Sequence, residues 1–417
     1  MDATTRAANR RRMVIPRKVL VAVVGGGILL ISLSLYLARD ALAITSLERT
    51  ASRLDYPVAF VLARDDRLFY AEFTTGQIRV IADGEVIPSP FYVFEDMVRT
   101  NQSHQGLLGL ALHPEFPSIP WLYAYYTYRD STDNNLYNRI ARIRADGSTG
   151  EGKTVIMDRI PAGRYQNGGV LAFGPDDKLF ALVGDVEIPS TAQNLTTLAG
   201  KVLRMNGDGT VPEDNPFVGD TTANPFIFTY GHRNMFGLTF NRATGNAYVT
   251  ENGPECNDEV NLLIVGRNYG WGASGTCADS RGPPLNTNQD GASAVLPMAW
   301  YTPTIAPTNL QVLDSPHFRE WQGDLVIGDY LTGSLRRLDL GPPRYDIVLG
   351  EEVIARIPSS ILDVEVGYDG AIWFSTFDAI YRFDRGFPVI IVISGASALV
   401  VGEWYLVYRK IRRRIIV

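Results

Sequence analysis

The segment LAFGPDDKLFALVGD, residues 171–185, holds the unit from which most of the chain is built. Three apolar residues lead into a Gly-Pro-Asp-Asp turn, and an apolar strand with an aromatic residue follows and ends on an acid. The second strand of that unit returns as RLFYAE (67–72), WLYAYYTY (121–128), NAYVTENG (246–253), DLVIGDY (324–330) and AIWFSTFD (371–378). A further strand follows every copy: QIRVIADG, NRIARIRADG, KVLRMNGDG, DEVNLLIVG, SLRRLDL and AIYRFDR. Most copies are also preceded by a strand and an acidic or proline turn, as in VAFVLARDD, LGLALHPEF and ILDVEVGYDG. No long amphipathic helix interrupts the series. Six all-β units of unequal length predict a six-bladed β-propeller over about residues 50–385, each blade burying its faces on its neighbours. A β-sandwich would use fewer and more evenly spaced strands, and two separate β domains would leave a polar linker. The long insertions at 207–225 and 270–295 are expected on one face, where they would build the site.

Outward from the repeats the composition changes. Aromatic residues make up 11% of the 417, with 39 Gly and 24 Pro, which suits short strands joined by tight turns. Residues 1–18 and 409–417 each carry +5, so the formal −6 of the whole chain leaves −16 on residues 19–408. An acidic body argues against nucleic acid as a partner. Val19 to Ala38 is an uncharged run of 20 residues, long enough to cross the roughly 30 Å hydrocarbon core as a helix. Phe387 to Tyr408 is a second candidate span, with Glu403 near its end beside Trp404 and Tyr405. The basic residues outside both spans place residues 1–18 and 409–417 in the cytoplasm and the propeller outside the cell membrane, extracellular or periplasmic. A cleaved signal peptide is the rival reading of the first span, since Ala41-Leu42-Ala43 resembles a cleavage site, but the apolar run is longer than such peptides carry. Cys256 and Cys277 are the only cysteines, and export predicts a disulfide between them; a metal pair is the alternative, without an accompanying His.

Upstream of the opening segment, RYQNGG (164–169) sets Gln166 and Asn167 before two glycines. What that loop belongs to is suggested by five motifs in order: HQGLLGLALHPEF (104–116), GKVLRMNGDGTVPEDNPF (200–217), YGHRNMFGLTF (230–240), ENGPECNDEVNLLIVGRNYGW (251–271) and PTIAPTN (303–309). Together they resemble the soluble glucose/sorbosone dehydrogenases, six-bladed quinoproteins that oxidise aldoses with pyrroloquinoline quinone (PQQ) and calcium. The resemblance covers about residues 55–385. It implies Asp185 as the acid that orients a catalytic histidine, Arg233 and Asn234 as the pair contacting the quinone oxygens, and the Gly253 and Pro254 carbonyls as calcium ligands. At the position of the histidine base the chain carries Gln166. Val170 stands where a basic residue usually follows the glycines, Ser360 and Leu362 replace arginines, and no lysine occurs near Leu331. His104 falls at a pocket-lining position and is the candidate replacement base; His113 and His317 read as turn residues, and His232 belongs to the GHRN loop. Bland readings exist for each: a turn cap for Asp185, an ion pair for Arg233, a turn for Asn234, loop shape for Gly253-Pro254, structural roles for Asp258-Glu259. Two functions follow. One is a membrane-anchored quinoprotein oxidising a sugar; the other is a catalytically inactive propeller binding carbohydrate or protein, as the Hedgehog-interacting protein uses this fold without catalysis.

Overall fold

The computed structural model describes residues 45–100, 103–277 and 281–385. They form six antiparallel sheets in sequence order, the six blades of a propeller. The innermost strands are Pro57–Leu62, Leu107–Leu112, Leu171–Phe173, Met235–Phe240, Pro307–Val312 and Asp363–Val366. Each packs on the next, and Asp363–Val366 packs back on Pro57–Leu62. The sixth blade is completed by Thr45–Ser52, which pairs with Ala379–Arg385 and so closes the ring with the two ends of the propeller. That strand begins before the expected boundary at residue 50.

Every recurring apolar segment is the second strand of a blade. Leu68–Glu72, Leu179–Val183, Ala247–Glu251 and Leu325–Asp329 are buried along their whole length. A strand covered on both faces by neighbouring blades reads as a continuous apolar run rather than an alternating one. The aromatic residues fill the wedges between blades: Phe69 meets Phe91 and Phe116 edge-on at 5.1 and 5.7 Å. Burying each such ring contributes roughly 1.5–3 kcal/mol.

In each blade the innermost strand starts at the end where the second strand finishes. Asp185 and Glu251 therefore lie at one end of the propeller axis, with the loops that follow the second and fourth strands. Both long insertions leave their sheets at the opposite end, and the 207–225 segment also reaches the Asp185-side loop, Asn224 donating its backbone N–H to Leu195. The 207–225 connection follows a third strand, Lys201–Met205, and leaves the sheet where Met205 pairs with Leu179, at the end opposite Asp185. An insertion at that point of a blade cannot start on the Asp185 side. The other excursion leaves at the same far end after Asp258–Leu263 but climbs back: Asn268 pairs in parallel with Tyr230, and Trp271 donates its backbone N–H to Gly231. Cys256 and Cys277 are joined by a disulfide, as expected for the exported reading.

Among the described residues no helix is long and apolar enough to cross a membrane. The apolar runs 19–38 and 387–408, with the basic tails 1–18 and 409–417, lie outside the described residues.

Candidate active site

The loops at the Asp185 end surround an axial cavity of about 560 Å³. It brings together His104, Gln166, Val170, Arg233, Asn234, Gly253, Pro254, Leu331 and Leu362; Asp185 lies just beneath its wall, fully buried. Aromatic rings stand around it: Tyr56 packs on Phe73 and Phe377 at 4.9 and 5.0 Å, and Tyr330 meets Phe377 at 5.9 Å.

The loop before Leu171–Phe173 needs its two glycines because the backbone passes very close to its neighbours. A Cβ on Gly168 (φ +67°) would sit 2.4 Å from the Leu182 carbonyl oxygen, and one on Gly169 (φ +119°) 2.4 Å from Leu108 Cβ. Asn167 knits the loop together from inside. Its Nδ2 donates to the His104 and Gly163 carbonyls at 2.8 and 3.0 Å, and its Oδ1 accepts from Asn138 Nδ2 at 3.1 Å.

This leaves Gln166, at φ +57°, projecting between an acid and a guanidinium. Its amide is assigned with the NH2 toward Asp185 Oδ1 and the oxygen accepting from Arg233 Nη2 at 2.7 Å, since the reverse assignment satisfies neither group. Asp185 also accepts from Trp271 Nε1 at 2.8 Å and from the Glu187 backbone N–H at 3.0 Å. Burial pushes its carboxyl up to about 6, partly offset by those hydrogen bonds and by Arg233. Arg233 Nη1 donates to the Asn252 and Gly253 carbonyls at 2.9 and 2.8 Å, and its guanidinium lies 5.5 Å from the Trp271 ring. Asn234 is 5% exposed, and its Oδ1 has no hydrogen-bond partner among the described residues; the same holds for Asn252 Oδ1.

The electrostatic character of the wall is one-sided. Arg233 is the one Lys or Arg side chain among the described lining residues, against the carboxyl groups of Glu187, Asp258, Asp363 and Glu365. Asp258 fixes the 253–258 loop, accepting from Gly253, Ile305 and Ala306 N–H groups. Burial raises the carboxyls of Asp258 and Asp363, the latter to about 7, and burial followed by the nearby Asp363 raises Glu365. His104 lines the opposite wall with its ring edge-on to Tyr165 at 5.0 Å, and burial lowers its pKa so that it is neutral at pH 7.

Comparison with known proteins bears on this site. A sequence model of the family described as Glucose / Sorbosone dehydrogenase matches residues 54–381. The chain belongs to that family. Quinoprotein glucose dehydrogenase B of Acinetobacter calcoaceticus is 34% identical over 246 residues, spanning 53% of this chain and 51% of that one. A glucose dehydrogenase-type oxidoreductase of Thermus thermophilus is 31% identical in its solved structure, with a TM-score of 0.71 over 82% of this chain and all of that one. The Hedgehog-interacting protein of Mus musculus is 27% identical over 210 residues, 44% of this chain and 30% of that one.

Within the glucose/sorbosone dehydrogenase family frame, the sequence located the cavity but missed several residues that shape it. Trp271 and Asn167 hold Asp185 and the Gln166 loop. Glu251 accepts from the Arg233 N–H and hydrogen-bonds His232 Nδ1 at 2.9 Å, while Thr229 Oγ1 engages the other ring nitrogen; His232 is thus a buried support for the Arg233 turn. Lys201 is fully buried, donating to the Thr191, Ala192 and Ala199 carbonyls, and clamps the loop that carries Asp185 and Glu187. Trp271, Lys201, His232 and Glu251 each lie inside a motif that resembled the family, which was the one legible hint.

Proposed function

We propose that this propeller is a ligand-binding member of the glucose/sorbosone dehydrogenase family in which the dehydrogenase chemistry has been withdrawn. The observation that carries the reading is the Asp185–Gln166–Arg233 bridge. A neutral amide has essentially no basicity near pH 7, so residue 166 cannot take a proton from a sugar hydroxyl. The same amide accepts from the guanidinium that would meet a quinone oxygen.

The residues present do not fit the family's cofactors. PQQ carries three carboxylates, and the wall offers one guanidinium, already donating to two carbonyls and to Gln166, beside four carboxyl groups. Leu362 and Leu331 are apolar where charged contacts to the cofactor would lie. The Gly253 carbonyl assigned to calcium accepts from Arg233 instead. No reaction step is therefore drawn through either group. What the cavity retains is an aromatic rim and the neutral amides of Asn234 and Asn252, which suit a hydroxyl-bearing ligand such as a carbohydrate. In the full reading the propeller faces outward from the cell membrane, anchored by residues 19–38 and 387–408.

The test is to equilibrate the full-length protein with micromolar PQQ and calcium, pass it through gel filtration and follow quinone absorbance and dye-linked glucose oxidation. The expected result is no co-eluting quinone and turnover at least about a thousandfold below the Thermus relative run in parallel, since general-base loss alone removes about 10²–10⁴-fold. Stoichiometric quinone with robust turnover refutes the proposal. A second reading is supported by one observation: His104 offers a neutral imidazole to the cavity with no side-chain hydrogen bond among the described residues. If wild-type turnover is found and His104→Ala abolishes it, the protein is a dehydrogenase with a relocated base.

A further inference from the structure

The axis of the propeller has a second opening, and two arginines stand at its rim. At the end opposite Asp185 lies a cavity of about 260 Å³ lined by the finishing ends of all six innermost strands. It shares Leu110, Val170, Leu171, Asn309 and Glu365 with the larger cavity, so the two are separated by a single layer of side chains.

Four side chains dominate its rim: Arg64, His113, Arg242 and Tyr368. Arg64 and Arg242 each stand two residues beyond the end of an innermost strand, Pro57–Leu62 and Met235–Phe240. Those strands belong to the first and fourth blades, which face each other across a six-membered ring. Both arginines are exposed, and neither donates a hydrogen bond to, or forms an ion pair with, any described residue. Arg64 has one contact of note, its guanidinium 5.6 Å from the Tyr368 ring, which leaves its N–H groups unused. Asp65 pairs with Arg67, and Asp314, at the corresponding turn of the fifth blade, accepts from Gln322, while the Asp66 carboxylate is exposed.

The floor is polar but lacks an exposed anion of its own. Glu365 accepts from Gln311 Nε2 at 2.9 Å, and Gln311 Oε1 in turn accepts from Thr239 at 3.2 Å. Burial and the neighbouring Asp363 both push the Glu365 carboxyl toward its neutral form. Leu62, Leu112, Phe173 and Phe240 stand between floor and rim, where most of the accessible surface is polar. Two guanidiniums with free donors, set on opposed blades at the rim of one cavity, form a receptor for a particular charge pattern.

We infer that the cavity at this second opening binds an organic dianion whose two separated carboxylates Arg64 and Arg242 meet from opposite sides. The two arginines belong to this opening alone, so the inference does not rest on the reading given to the larger cavity. Tyr368, beside Arg64, covers one face of such a ligand, and His113 closes the rim from the second blade. A monoanion satisfies only one guanidinium, and a neutral isostere satisfies neither.

The experiment uses full-length protein and three probes of one shape: benzene-1,3-dicarboxylate, benzoate and benzene-1,3-dicarboxamide, titrated calorimetrically at low and physiological salt. The dicarboxylate binds most tightly and loses affinity as salt rises, benzoate binds more weakly, and the diamide does not bind. Arg64→Gln and Arg242→Gln each weaken the dicarboxylate about tenfold or more, as expected for losing hydrogen bonds to a charged partner. Arg64→Lys and Arg242→Lys retain most of the salt dependence, which separates lost charge from misfolding. Saturable binding that is equal for dicarboxylate and diamide, or undiminished in both Gln variants, overturns the inference. So does the absence of dicarboxylate binding at millimolar concentration in low salt.

Discussion

Asp185 offers a quantitative test of the site's electrostatics. It is fully buried, and its carboxyl is pushed up to about 6, against roughly 3.9 for an aspartate in an unfolded chain. A carboxyl whose folded pKa is raised favours the folded state at low pH, and that contribution is lost as pH rises through the folded value. Two units at about 1.36 kcal/mol each make the full span about 3 kcal/mol. Between pH 8 and pH 5 only part of it returns. At pH 5 about ten in eleven folded molecules hold the proton while the unfolded group is mostly ionised, which stabilises the fold by about 1.4 kcal/mol. Other groups titrate in the same window, among them Asp363, raised to about 7, and His104, shifted the opposite way. A double difference removes them. Urea unfolding of wild type and Asp185→Asn at pH 5 and pH 8 should give a gain on acidification about 1.4 kcal/mol larger in wild type. Equal gains in the two proteins, or a larger gain in the variant, refute the raised carboxyl assigned to Asp185.

Gln166→His, given PQQ and calcium, should leave dye-linked glucose oxidation at least about a hundredfold below a typical family member. The general base returns, but two missing ionic contacts at about 1.5–3 kcal/mol each still weaken cofactor binding. Reduction of Cys256–Cys277, 21 residues apart, should lower the unfolding free energy by roughly 3 kcal/mol in denaturant titrations. Two free thiols in the unreduced protein by mass spectrometry would contradict the bond. Gly109→Ala should cost about 1–3 kcal/mol in thermal unfolding, because its Cβ would sit 2.2 Å from the Gly169 carbonyl oxygen beneath the Gln166 loop. Protease shaving of intact cells should release the propeller and leave residues 1–18 and 409–417 protected; a mature chain beginning near Ile44 would show instead that the first span is cleaved.

The propeller was legible because each second strand is covered on both faces, which writes the same short apolar run six times. The closing strand was harder to see. Thr45–Ser52 resembles no other strand, yet the sixth unit ends at its third strand, Ala379–Arg385, and something had to complete it. The course of the 207–225 insertion was not legible, because its position after a third strand sets the end from which it leaves while its contact with Leu195 depends on the folded blade. In the site, single substitutions were readable against a motif, as with Gln166, Leu362 and Leu331. Asn167 and Glu251 were not, because their roles depend on backbone carbonyls and N–H groups brought together from distant strands. Arg64 and Arg242 were invisible for a related reason: 178 positions apart, they face one opening only once the ring has closed.

The exchange at residue 166 does more than remove a base. A buried acid and a buried guanidinium each need a hydrogen-bond partner, and leaving either without one costs about 1–3 kcal/mol or more. The Gln166 amide supplies a donor to Asp185 and an acceptor to Arg233 at once, and Arg233 spends its other nitrogen on the Asn252 and Gly253 carbonyls. Asp185, Gln166 and Arg233 therefore form a chain that is satisfied without any ligand. Asn234 and Asn252 stand in the same wall as neutral amides, each able to donate and to accept. The exchange at residue 166 therefore leaves Arg233 engaged and the remaining polarity of this wall uncharged, which favours a neutral, hydroxyl-bearing ligand over a tricarboxylate cofactor.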